Sequence, residues 1–140
     1  MNIALLAHYQ RKELMIQFCI AYCGILASHS ICATNTTGRL VAEATGLPVM
    51  LHLPCSQGGG QQICSRIAYN ELDLVLFFCD PSLKGEYKSN VMEMARLCDH
   101  HNVPFATNVA TAEALIHALK RGDIDWRDIV NPKEISGANR

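Results

Sequence analysis

Short apolar runs of β type alternate with amphipathic helical segments along the whole chain, and this alternation restricts the fold more than any other feature. Asn2–Ala7, Ser30–Ala33, Pro48–Leu53, Asp73–Phe78 and Val103–Thr107 read as strands. Between and after them, Glu13–Ala27, Thr37–Thr45, Gln61–Asn70, Asn90–His101 and Thr111–Lys120 carry the spacing of helices, the second closed by Gly46. The run Asp73-Leu74-Val75-Leu76-Phe77-Phe78 is apolar on both faces beyond its first residue, as a central parallel strand should be. Strict β-α alternation predicts an α/β fold of three layers. A five-stranded parallel sheet lies between two layers of helices joined by right-handed crossovers. The tail after Gly122 has weak periodicity and is expected to cap the fold or to serve an interface.

The 140 residues suit a single domain spanning 1–140, with 49% hydrophobic and 18% charged residues placing it among globular chains. A net charge of −1 without a basic stripe argues against a nucleic-acid partner. The longest apolar stretch, Leu14 to Ala27, is broken by Gln17 and too short to span a bilayer, so no membrane partner is expected. Seven cysteines without CxxC spacing fit neither a disulfide scaffold nor a zinc ribbon, and no metal site is expected. Most of them sit in apolar periodic segments, where cysteine packs as a small hydrophobe. The chain starts directly on a strand-like run, and a soluble protein of the reducing cytoplasm is the expectation.

In parallel sheets of this kind, ligands bind beyond the carboxyl ends of the strands, where strand order reverses. The loops there carry His8 and Lys12, Thr34 to Gly38, Pro54 to Gly60, Cys79 to Tyr87, and Thr107 to Thr111. Thr34-Asn35-Thr36-Thr37-Gly38 opens a helix with hydroxyls and backbone donors, which suits a phosphate, and Lys12 lies close enough to neutralise it. Capping of the helix by Thr36 or Thr37 accounts for the same hydroxyls. Pro54-Cys55-Ser56-Gln57-Gly58-Gly59-Gly60-Gln61-Gln62 is a second strand-to-helix turn, whose glycines let the backbone approach a ligand but supply no acid or base. Cys55 and Cys79 allow a thiol-lined pocket, against which simple packing stands as the alternative.

Four segments in register carry a resemblance. They are Ala33-Thr34-x-Thr36-Thr37-Gly38, Gly58-Gly59-x-Gln61-Gln62, Phe77-Phe78-Cys79-Asp80-Pro81, and Pro104-Phe105-Ala106-Thr107-Asn108-Val109-Ala110-Thr111-Ala112. Together they resemble the methylglyoxal synthase family from the first strand to the last helix. The resemblance implies a Rossmann-like sandwich that converts dihydroxyacetone phosphate to methylglyoxal and phosphate with no metal or organic cofactor. It also implies a homohexamer regulated by phosphate. The family's phosphate cradle carries over to Lys12, Thr34, Thr36, Thr37 and Gly38, with Gly59 at the glycine turn. His8 matches its histidine after the first strand and Asp80 its aspartate after the fourth. The family's general base, an aspartate between the glycines and the glutamines, is Gly60 here. Its histidine in the loop after Asp80 aligns with Tyr87, and the following aspartate with Asn90. Its Ser-Gly pair ahead of the glycine turn is Pro54-Cys55, and proline has no N–H to donate. The family's C-terminal arginine finds only Arg140 as a late counterpart.

Deprotonation beside a carbonyl needs a base within about 3 Å of the carbon. Gly60 has none to offer, so the sequence predicts retained binding of phosphate or a small phosphorylated metabolite, with lyase activity weak or lost. Two alternatives stand beside this reading. One is an active synthase with acid–base groups relocated to Asp80 or Glu86, His8 assisting. The other is a structural or partner-binding subunit with a vestigial cradle.

Overall fold

The computed structural model describes residues 1–130 and 132, with the side chains of residues 86–89 outside the description. Its strands are β1 (Asn2–Ala7), β2 (Ser30–Ala33), β3 (Val49–Leu51), β4 (Leu74–Phe78) and β5 (Phe105–Ala106). All neighbouring strands run parallel in the order β3-β2-β1-β4-β5. The chain winds outward from β1 to β3, then returns to the other side of β1 with β4. The carboxyl ends of β1 and β4 therefore flank the point where strand order reverses.

The helices are α1 (Lys12–Ala21), α2 (Cys23–Leu26), α3 (Asn35–Thr45), α4 (Gly59–Ala68), α5 (Glu86–His101), α6 (Val109–Arg121) and α7 (Trp126–Val130). They cover both faces because successive side chains of a strand point to opposite sides. Ile3, Leu5 and Ala7 of β1 join Met15, Phe18, Val41 and Ile116 in the core under α1, α3 and α6. Ala4 and Leu6 face the other way, into a core with Ile63, Ile67, Met94 and Cys98 of α4 and α5. The three-layer sandwich with a five-stranded parallel sheet is as the alternation predicts.

The differences are local. The helical pattern of Glu13–Ala27 is broken at Tyr22, whose φ of −111° and ψ of 22° leave the α region between α1 and α2. The strand expected over Pro48–Leu53 pairs only at Val49–Leu51, because it is the sheet edge and has a partner on one side alone. The tail after Gly122 contains α7, whose Arg127 is fully buried. Its guanidinium faces Asp73 Oδ1 at 3.4 Å, Asn70 Oδ1 at 3.0 Å, Leu72 O at 3.2 Å and His101 O at 3.0 Å, and also donates to Asn102 O. One short helix is thus tied to the end of α5 and to the turn that enters β4, on the opposite side of the sheet from the strands' carboxyl ends.

Candidate functional site

The loops after β1, β2 and β3, with residues from β4 and α5, enclose a cleft of about 900 Å³ at the carboxyl ends of the strands. Its cationic end is built from the turn after β1. Lys12, the first residue of α1, sends Nζ back to Ala7 O at 3.1 Å and across to Thr37 Oγ1 at 3.0 Å. An ammonium has three donors, so two anchors fix its direction and leave a third for a ligand. Burial pushes the Lys12 pKa down from its ordinary value, with Cys55 acting in the opposite sense.

Thr34 directly follows β2 and occupies the N-cap position of α3 in extended backbone, but its side chain makes no capping bond. The first intrahelical bond runs from Gly38 N to Thr34 O at 2.8 Å, so the amides of the preceding turn point out of the helix. Thr34, Thr36, Lys12 and His8 line the cleft together. Two of the expected cradle residues stand behind it. Thr37 is buried and holds Lys12, while Gly38 is buried against the edge strand, where a Cβ would lie 2.5 Å from Leu51 Cδ2 and 3.1 Å from Ala33 Cβ. The hydroxyl of Thr37 positions the cation, and Gly38 lets α3 pack on β3.

His8 is buried beside Phe77, ring centroids 5.0 Å apart. Its Nδ1 accepts the Asp80 backbone N–H at 2.8 Å, which leaves the proton of the neutral ring on Nε2. Burial lowers the His8 pKa, opposed by Asp80 and aided by Lys12. A neutral imidazole donor at this place suits an oxyanion better than it suits proton abstraction.

Asp80 contributes its backbone to His8, and its carboxylate turns elsewhere. Oδ1 accepts from Ser82 N at 2.9 Å and Ser82 Oγ at 2.7 Å, and these bonds hold the Asp80 pKa below the usual carboxylate range. The thiols are also apart. Cys55 lines the cleft, whereas Cys79 donates to Phe77 O at 3.2 Å and burial pushes its pKa up to about 11. Asn90 reaches the cleft from α5. The side chains of Glu86 and Tyr87, like Arg140, lie outside the described residues.

The three glycines of the turn after β3 do three different things. Gly58 adopts φ +97°, a left-handed conformation that favours glycine, as it caps α4. Gly59 is buried, and a Cβ on it would sit 1.9 Å from Leu53 O. Gly60 lines the cleft in the first turn of α4, and no described residue lies within 4 Å of a Cβ placed on it. The turn is pinned by Gln62, whose Oε1 accepts Leu53 N at 2.7 Å. Gln62 has no signature of this role in the sequence beyond its place in the Gln61-Gln62 pair after the glycines. Gly59→Ala is expected to force the turn off Leu53–Pro54 and to cost about 1–3 kcal/mol of stability or more, measured by urea unfolding.

Among the described residues, no group of three or more His, Cys, Asp or Glu is gathered as a metal ion would need. No helix among them is long and apolar enough to cross a membrane.

An open parallel sheet with a lysine, two threonines and a helix N-terminus in the cleft at its carboxyl ends defines a Rossmann-like α/β protein. Residues 15–107 match the family model of the MGS-like domain. The methylglyoxal synthase of Caldicellulosiruptor saccharolyticus is 59% identical over 133 residues, covering 95% of this chain and 94% of its own. That of Oceanobacillus iheyensis is 45% identical over 96% of each chain. The crystal structure of methylglyoxal synthase from Elizabethkingia anophelis superposes with a TM-score of 0.79 at 31% identity, covering 98% of this chain and 93% of that one. The chain belongs to the MGS-like domain family.

Proposed function

We propose that this single-domain chain is a methylglyoxal synthase-like protein that binds phosphate or a small phosphorylated metabolite such as dihydroxyacetone phosphate, and that its lyase activity is weak or lost. The observation that carries the reading is a cationic cradle beside an empty base position. Lys12 is aimed by Ala7 O and Thr37 Oγ1, the N-terminus of α3 adds its positive end, and Gly60 leaves open space across the cleft. Thr34, Thr36 and the neutral His8 supply further donors to phosphate oxygens, while Gly59 packs on Leu53 and Pro54 and keeps the turn in place.

A second reading, an active synthase with relocated acid–base groups, is favoured by the names of the relatives. It would draw on Asp80 or Glu86. The bonds from Ser82 that lower the Asp80 pKa make that carboxylate a weaker base, which argues for the first reading.

We further propose a homo-oligomer in the cytoplasm, acting without a cofactor. Edge strand β3 and the residues after it expose Met50 (58%), Leu51 (44%) and Leu53 (45%), apolar surface beside an unpaired strand edge that a second copy would cover. All seven cysteines are free thiols, in keeping with a reducing compartment.

Calorimetric titration tests the binding. Inorganic phosphate is expected to bind in the millimolar range or tighter, and Lys12→Met is expected to weaken it about tenfold or more, since a hydrogen bond to a charged group is worth about 1.5–3 kcal/mol. No heat from either phosphate or dihydroxyacetone phosphate at millimolar concentration would refute the reading in favour of a structural or partner-binding subunit.

A further inference from the structure

The cleft is larger and more apolar than a three-carbon phosphate requires. At about 900 Å³ it reaches the upper range of pockets that hold drug-sized ligands. Lys12 is the only side chain bearing a permanent charge among the described residues that line it. Away from Lys12 the wall changes character. Phe77, Leu83, Met94 and Pro54 supply apolar lining there, beside the bare backbone of Gly60 and the polar Ser56, Gln57, Gln61 and Asn90. Tyr9 stands at the rim with 81% of its surface exposed, its ring largely open to solvent.

Resting on the phosphate-binding reading above, we infer that the preferred ligand is a phosphate monoester with a flat apolar body. The phosphate sits at Lys12 and the N-terminus of α3, and the body lies between Tyr9 and the open face of Gly60 against Phe77 and Leu83. A side chain at position 60 would occupy the space that the body uses, because no described residue lies within 4 Å of where its Cβ would be. The ring of Tyr9 gains by being covered, and a flat partner offers it offset stacking. A small polyhydroxyl body would find partners in Ser56, Gln57, Gln61 and Asn90 but would leave Phe77, Leu83, Met94 and Tyr9 uncovered.

Calorimetric titration of the full chain with inorganic phosphate, glycerol 3-phosphate and phenyl phosphate tests this. Phenyl phosphate is expected to bind about tenfold tighter than glycerol 3-phosphate, from the apolar surface it buries. That ratio is expected to fall toward one in Tyr9→Ala and, independently, in Gly60→Leu. Equal affinities for the two esters, or a preference for glycerol 3-phosphate, would overturn the inference while leaving the phosphate site standing. A phenyl phosphate preference unchanged in both variants would overturn the placement of the body. Binding of none of the three would remove the phosphate site and this inference together.

Discussion

Gly60→Asp is expected to raise methylglyoxal release from dihydroxyacetone phosphate by about 10²-fold or more over the native chain, the usual contribution of a positioned general base. The geometry makes the substitution unusually clean. Gly58 is held by its left-handed φ and Gly59 by its contact with Leu53 O, but Gly60 has ordinary helical backbone and open space. A carboxylate there enters the cleft without moving the turn. It also sits in the first turn of α4, where negative charge is favoured by about 0.3–1 kcal/mol, so the variant should fold at least as well. Gly60→Asn has a similar shape but no base, and is expected to stay at the native level. A rate equal in the aspartate and asparagine variants would show that the deficit lies elsewhere, at Asn90 and Tyr87 first. Restoring one base of a linked set need not restore the full rate, because such groups act together.

The second large effect is structural. Arg127→Met is expected to destabilise the fold by about 3–5 kcal/mol, read as a fall in the urea midpoint at unchanged slope. Arg127 is fully buried, as is Asp73, and the guanidinium faces five acceptors on two segments. Asp73 Oδ2 in turn accepts the backbone N–H of Asn2 at 2.8 Å, so the network reaches the start of β1 as well as the turn into β4. Arg127→Lys is expected to recover little. A single ammonium has three donors and lacks the planar fork that addresses Asp73, Asn70 and the carbonyls after α5 together. A loss below about 1 kcal/mol in Arg127→Met would mean that α7 is an accessory to the fold.

The sheet was legible because its central strands carry an unambiguous signal. Asn2–Ala7 and Ser30–Ala33 form with the bounds that the sequence predicts, and Asp73–Phe78 loses only its first residue. Asp73 itself was read as the start of a strand. Its side chain instead serves Arg127, more than fifty positions later, and no local pattern announces so distant a partner. Helix starts were placed too late for a common reason. Asn35, Gly59 and Val109 begin their helices right after turns rich in threonine, glycine and asparagine, where local composition favours loops and only capping geometry marks the boundary.

At the site, the sequence gathers Lys12, Thr34, Thr36 and His8 into one cleft, as the loops after β1 and β2 suggest. It does not distinguish residues that line the cleft from those behind them. Thr37 and Gly38 look like Thr36 in the motif, yet one holds Lys12 and the other makes room for Leu51. Asp80 looks available from its position after β4, while its carboxylate is taken by Ser82 and its N–H by His8. Tyr9 gave no signal at all, since a lone aromatic outside any periodic face looks the same whether it edges a cleft or open water.

A cradle for phosphate beside an empty base position should bind dihydroxyacetone phosphate without turning it over. Purified native protein is incubated with dihydroxyacetone phosphate at a concentration that calorimetry shows to be bound, and methylglyoxal is quantified over time beside an Asp80→Asn variant and a protein-free blank. Both proteins are expected to match the blank. Turnover by the native chain well above the blank, abolished in Asp80→Asn, would contradict the account and make this a working synthase with a relocated base.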